Sequence, residues 1–556
     1  MKRFPWLRMR KKTDPELPLE PPFWFGNQSN GEYFRSATKR DWKIRKLILE
    51  TADENARRVG MDRRDFLASA MGMCTSLWVF NYVSACSSDT AGRKASGLRE
   101  GGVGGGGGGG ADSGKDARYC VPKEAMFDES VACNVVSGHE FIFDIQTHWF
   151  KKDDLSKFQA YIDLFGALFN TTTEIAYIND MFCNSDTTMA ALSSWPGIAC
   201  TGVNALDGGV CGLPLSNDSN AASRDHINMD LSKKTQRIVN HCQVMAQDAN
   251  GVQGQLELME QVLCQHGVAA WKLYPGAKLP TPFTMDGPIG RAVIEKGIAL
   301  GVPLFCIHKG LPIGAFFDVD LGNHPRDIGK IAKDYPEAKF IVYHSGICTG
   351  YPRTGPDGGT VDCSGAPPEG PYDPNETDPT GVNALIRSVL DNGIPPNSNV
   401  YGEIGSAFNQ RGIYDNPTVA AHFFGKLMKY LGPDNVCWGT DCVIYGSPQR
   451  FIEAFRALEI PQSMRDQYGY PALDNSTDEG KANKAKIFGL NAAKAYGVDP
   501  EAKRCAIESC PVTALKQNID GEFGPRRWSF EEPRGPKTRK EYIEDAYAAA
   551  ALGRPA

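Results

Sequence analysis

From residue 140 to about residue 460, short runs rich in β-branched and aromatic residues alternate with segments whose apolar positions recur every three or four residues. The short runs predict strands at 141–146, 174–179, 237–244, 269–274, 303–308, 339–344, 399–404 and 435–440. The longer segments predict helices over 255–266, 287–300, 325–335, 381–392, 417–431 and 448–458. Several of these open on Pro, whose missing N–H costs nothing in a first turn. Strands that are apolar throughout are buried on both faces, and helical connections then make the sheet parallel. Eight such units in about 320 residues suit a (β/α)8 TIM barrel with long loop insertions, an open doubly wound sheet being the runner-up. Segments 183–232 and 347–379, rich in Gly, Pro, Asn and Asp, are expected as loops covering the barrel mouth.

The front of the chain follows another pattern. Of 556 residues, 60 are Lys or Arg and 66 Asp or Glu, a net charge of −6 that excludes an overall basic nucleic-acid binder. Residues 1–60 hold 14 of the basic and 8 of the acidic residues, so this extension is +6 and the remainder −12. Residues 61–88 run Asp62-Arg63-Arg64-Asp65-Phe66-Leu67 and then carry no charge to Ser88. The order resembles a twin-arginine signal, read by an export machinery that passes folded proteins, and an uncleaved span is its rival. Val83-Ser84-Ala85-Cys86 resembles a lipobox, which implies a membrane anchor at Cys86, and it equally suits simple cleavage there. Gly101-Gly102-Val103 and Gly104 to Gly110 make 89–118 a flexible linker. The barrel is placed at 119–500 and a tail that packs on its outside at 501–556. The expected location is the periplasm, or a tether on the outer side of the inner membrane, with the cytoplasm as the alternative.

A barrel keeps its chemistry at the C-terminal strand ends. There the chain places Asp144, Gln146 and His148, one face of the first strand by a period of two, and then His241, Lys272, His308, His344, Glu403 and Asp441. Any one of these has a structural reading, a backbone-bonded imidazole or a loop-capping carboxylate. Together, imidazoles and a carboxylate from separate strands suit Zn²⁺ or a similar divalent ion with a position left for water. Asp441 is then a base or a ligand that also takes the water's proton.

At these residues the chain resembles the amidohydrolase superfamily, in the branch that includes aminocarboxymuconate-semialdehyde decarboxylase. The likeness rests on Asp144-x-Gln146-x-His148, His308, Tyr343-His344-Ser345-Gly346, Trp438-Gly439-Thr440-Asp441 and Ile487-Phe488-Gly489-Leu490-Asn491-Ala492-Ala493, and covers about 141–497. It implies metal ligation by His148 and His308, Asp441 as ligand or base, and His344 as acid, base or polarising group. Gln146 stands where the family has a first histidine, so a weaker amide ligand replaces an imidazole. Lys272 is read as bridging two metals after carboxylation, pairing with Glu403, or holding a substrate carboxylate, a task Arg411 shares.

The expected activity is a metal-dependent hydrolase, with a divalent metal for which zinc is the expected ion, acting on an ester, lactone or amide-like bond of a small-molecule substrate, with His344, Asp441, Lys272 and Glu403 catalytic. Its rivals are a non-oxidative decarboxylase of an unsaturated or aromatic acid and a non-catalytic tethered binding barrel. The 16 Cys fit no zinc ribbon; in an exported protein the local pairs Cys120–Cys133, Cys348–Cys363 and Cys505–Cys510 are candidate disulfides.

Overall fold

The computed structural model describes residues 20–26, 28–29, 34–35, 37–88, 118–151, 173–195, 198–199, 210–212, 215–246, 251–277, 282–311, 321–348, 352–354, 360–362, 370–442 and 446–523. Eight strands form one sheet: β1 (Phe143–Thr147), β2 (Met189–Leu192), β3 (Ile238–Val244), β4 (Ala270–Leu273), β5 (Leu304–His308), β6 (Lys339–Tyr343), β7 (Val400–Glu403) and β8 (Val436–Cys437). They lie in chain order and every neighbouring pair is parallel. The edges meet: Ile145 N–H donates to Trp438 O (3.1 Å), Asp441 N–H to Gln146 O (2.8 Å) and His148 N–H to Cys442 O (2.7 Å). The sheet is therefore a (β/α)8 barrel, and the doubly wound alternative, whose strand order reverses, is excluded.

The second strand is not where the pattern places it. Residues 174–179 are helical, Glu174–Ile178 followed by a wider turn at Asn179–Cys183, and the strand is Met189–Leu192, inside a segment expected to be loop. Glu-Ile-Ala-Tyr-Ile alternates like a strand, but Thr173 Oγ1 caps it by accepting from Ala176 N–H. Tyr177 and Met181, four residues apart, then share one helical face against Ala190 and Leu192.

Inside the barrel, Phe143, Met189, Cys306, Ile341, Tyr343 and Tyr401 fill the lower layer. The late motif closes that end. Trp438 N–H donates to Ile487 O, and Asn491 Nδ2 donates to Pro433 O and Val436 O. A β-carbon on Gly489 would meet Phe141 O at 2.1 Å, so only glycine lets this helix lie against β1.

The N-terminal segment is built into the same body. It comprises α1 (Lys39–Val59), α2 (Arg63–Ala68), opened by the Asp62 carboxylate, and α3 (Ala70–Ser88). A helix apolar all round must be buried, and α3 places Met73, Cys74, Leu77, Phe80 and Val83 in the hydrophobic cluster that also holds Phe305, Phe340 and Phe424 of the barrel. Asn81 makes a two-way bond with the backbone of Tyr119, at 2.8 Å in each direction. Among the described residues no helix is long and apolar enough to cross a membrane. The Gly101–Gly110 run and the Cys86 side chain lie outside the described part, as do residues 524–556. The tail begins with the helix Pro500–Glu508 and continues in Pro511–Phe523, whose Val512 joins Cys510 against Met181 and Phe182 on the barrel's flank.

Cys120, Cys133 and Cys510 are thiols, so the pairs Cys120–Cys133 and Cys505–Cys510 do not form. Cys348 is disulfide-bonded, and Cys363 lies outside the described residues.

Candidate active site

The polar residues at the strand ends are buried together. Between Asp144 and Thr147 the β1–β2 ladder shifts register, which breaks the period of two. Asp144 is thereby taken out of the group: its carboxylate accepts from the Thr440 hydroxyl, from Thr440 N–H (3.1 Å) and from Gln146 N–H (3.2 Å). Burial pushes that carboxyl up to about 7 despite these bonds.

His148 donates Nδ1–H to Ser193 O at 2.7 Å, which turns Nε2 toward the site. That Nε2 lies 3.0 Å from Asp441 Oδ1, yet neither atom has a hydrogen-bond partner. The two atoms are buried side by side, aligned too poorly for a normal hydrogen bond. Burial raises the Asp441 carboxyl, but His148, His344 and the Ser406 hydroxyl outweigh it and hold the carboxylate below its usual range.

His308 donates Nδ1–H to Asn323 Oδ1 at 3.0 Å, so its Nε2 is presented as an acceptor. Burial, with His344 and Lys272 nearby, drives its pKa far down and keeps it neutral. His344 packs edge-to-face on the His308 ring, centroids 4.7 Å apart. It donates Nδ1–H to Gly405 O (2.6 Å), and the Gln146 amide NH2 approaches its Nε2 at 3.4 Å. Burial lowers its pKa to about 4.

Gln146 therefore turns its NH2 toward His344, while its buried Oε1 has no partner and lies beside Gly405 and Glu403. Glu403 accepts from His344 N–H (2.9 Å) and from Gly405 N–H, and burial raises its carboxyl to about 8. A β-carbon on Gly439 would stand 1.8 Å from Glu403 Oε1, so glycine makes room for that carboxyl. Lys272 is fully buried, its Nζ 3.2 Å from the centre of the Tyr343 ring.

His344, Ser345, Ser406 and Asp441 all have left-handed φ, from 50° to 62°, which costs energy in any residue but glycine. Each sits just past a strand end; His344 and Asp441 are thereby aimed into the site, Ser406 donates to Asp441, and the Ser345 hydroxyl donates to Glu403 O at 2.7 Å.

Two expectations change. His241 lies lower in the barrel, where its Nε2 meets Tyr496 OH at 2.8 Å and its ring stacks on Tyr496, so it belongs to the packed interior. Arg411 does not face a substrate carboxylate: its Nη1 donates to Phe25 O (3.0 Å) and pairs with Asp41 (3.2 Å). Sequence reasoning missed Asn323, Ser193 and Ser406, loop residues with no spacing signal.

Among the described residues no three His, Cys, Asp or Glu side chains form a ready metal shell. The His148–Asp441 pair nevertheless fits a divalent ion. Two ligands bound at about 2.0–2.1 Å stand roughly 3 Å apart, the separation found, and a cation would satisfy both buried atoms.

No family model matches this sequence, and no curated protein matches it significantly. Solved structures do resemble it. 5-Carboxyvanillate decarboxylase from Sphingomonas paucimobilis is 14% identical, with 65% of this chain and 100% of that one covered and a TM-score of 0.40. 4-Oxalomesaconate hydratase from Rhodopseudomonas palustris is 13% identical, with 69% and 99% covered and a TM-score of 0.33. Amidohydrolase 2 from Bifidobacterium longum subsp. infantis is 12% identical, with 65% and 100% covered and a TM-score of 0.30. Superpositions this loose transfer no reaction, and the fold assignment rests on the strand order and closure described above.

Proposed function

We propose that the chain is a metal-dependent hydrolase of the amidohydrolase type, acting on an ester, lactone or amide-like bond of a small molecule. The observation that carries the reading is the His148 Nε2–Asp441 Oδ1 pair, buried 3.0 Å apart with neither atom in a well-aligned hydrogen bond. His148 and Asp441 would hold the ion, zinc being the metal that suits imidazole and carboxylate donors, with His308 as the next imidazole, while Gln146 turns its amide NH2 rather than its oxygen toward His344. When bound, such an ion lowers the pKa of a coordinated water toward about 7 and polarises a carbonyl.

The chain's own groups supply the rest. Asp441 is an ionised carboxylate placed to receive a proton. His344, neutral at pH 7 with Nε2 unprotonated, is a second acceptor and is held in orientation by Gly405 O. Glu403 fastens the His344 backbone from behind, and Lys272 adds positive charge below the site, where it steadies developing negative charge. The ionised Asp441 and the unprotonated His344 Nε2 are bases for a water's proton, which favours hydrolysis over the rival decarboxylation, whose carbon must be given a proton.

Metal analysis of the purified full chain tests this first. About one equivalent of a transition metal is expected, lost in His148→Ala. Less than about a tenth of an equivalent, unchanged by that substitution, sinks the reading and leaves a binding barrel. With metal present, a screen of esters, lactones and amides beside carboxylated aromatics, with CO2 detection, separates hydrolase from lyase.

A further inference from the structure

The turn that follows β7, residues 404–416, is buried almost throughout and has two working sides. One side serves the site. Gly405 O accepts the His344 Nδ1–H, the Ser406 hydroxyl donates to Asp441 Oδ2, and Asn409 Nδ2 donates to Thr440 O beside Asp441. The other side is held by the N-terminal segment. Arg411, fully buried, donates to Phe25 O at 3.0 Å and pairs with Asp41 at 3.2 Å. Arg40 grips Asp415 twice, through its carboxylate and at 2.8 Å through its carbonyl. Phe23 stacks on Tyr414 with ring centres 4.9 Å apart. Asp41 is itself locked in a capping box with Thr38, so its carboxylate is fixed before it meets Arg411.

We propose that Arg411 is a positioning residue for the candidate site. Braced by Asp41 and Phe25, it sets the 404–416 turn and through it the orientation of Asp441 and His344, so the start of α1 is a working part of the site's frame. Ser406 has φ +50° and Asp441 φ +59°, a strained pair that keeps its geometry only while the surroundings over-determine it. The guanidinium supplies that constraint from the side opposite to the chemistry.

The proposal rests on the reading of Asp441 and His344 as site residues, and its test separates the two. Arg411→Met and Arg411→Lys are made in the full chain, with Arg40→Met as a second cut of the same brace should the first variant fail to fold. Metal affinity is measured by chelator competition, and backbone hydrogen exchange is followed on peptides covering 404–416 and 438–442. Arg411→Met is expected to weaken metal binding about 10–100-fold, as losing an outer partner of a ligand does, and to speed exchange in both peptides. Arg411→Lys, which keeps the charge, restores most of both. A folded Arg411→Met or Arg40→Met protein with affinity within about twofold of the parent and unchanged exchange at 438–442 overturns the proposal. If the parent binds no metal, the hydrolase reading fails, and exchange at 438–442 alone then decides the brace.

Discussion

Phe80→Ala measures how far α3 belongs to the folded body. Phe80 is fully buried, and its ring lies 5.1 Å from Phe23, 5.9 Å from Phe25, 6.0 Å from Tyr119 and 5.9 Å from Tyr414. Returning a Phe side chain to water forfeits about 1.5–3 kcal/mol of transfer energy. The void left among four rings adds to this, because rings anchored by backbone on separate segments collapse poorly, and the total for such a change is about 3–5 kcal/mol. Tyr414 is in the turn that supports Asp441, so the loss also registers near the site. Equilibrium urea unfolding, followed by tryptophan fluorescence, gives the cost, with Trp42→Ala as the control because Trp42 is half exposed on α1. The control is expected within about 0.5 kcal/mol of the parent. A Phe80→Ala cost below about 1 kcal/mol would mean that α3 does not pack on the barrel in the working protein, and the structural reasoning about the N-terminal segment would be wrong.

Three further outcomes follow from single contacts. Asn323→Ala removes the acceptor that fixes the His308 tautomer, and chelator competition should show metal affinity lowered about 10–100-fold, beside a stability loss of about 1–3 kcal/mol because the buried Asn323 Nδ2 also donates to Gly310 O. Gly439→Ala drives a methyl group into Glu403 Oε1, and denaturant titration should record a loss of about 1–3 kcal/mol. Burial lowers Lys484 from 10.5 to about 8, although it donates to Arg456 O and Asn475 Oδ1. Across that interval the unfolded chain holds a proton that the folded chain has released, so this lysine makes stability rise with pH from about 8 to 10.5. Lys484→Met should lack that increment when the two unfolding curves are compared over the same pH range.

Much of the site was legible from position alone. His308, His344, Glu403 and Asp441 sit where a strand pattern stops and a turn containing Gly or Pro begins, His148 sits where the first strand pattern stops, and a barrel gathers such ends at one mouth. What each atom does was not legible. Whether Gln146 offers oxygen or nitrogen depends on His344, whose tautomer depends on a carbonyl two residues past Glu403. Asp144 fits the period of two and still leaves the group, because a register shift depends on the partner strand and not on the strand's own residues. The uncharged stretch after Arg64 reads as an address because its pattern stops at its own ends, and only the aromatic faces of Phe23, Tyr119 and Tyr414 disclose its place in the fold.

By itself, then, the sequence determined the alternation of strands and helices, the parallel sheet and the residue types waiting at its ends, since these follow from periodicities of two and about four residues that any short window contains. Tertiary structure alone decided the closing of β1 on β8, the second strand's true place, the close approach of His148 and Asp441, and the tie from Arg411 to a carbonyl 386 residues earlier. Contacts at that separation are selected by whole-body packing, in which complementary surfaces exclude water together, and no local run of residues encodes which distant surface will complete it.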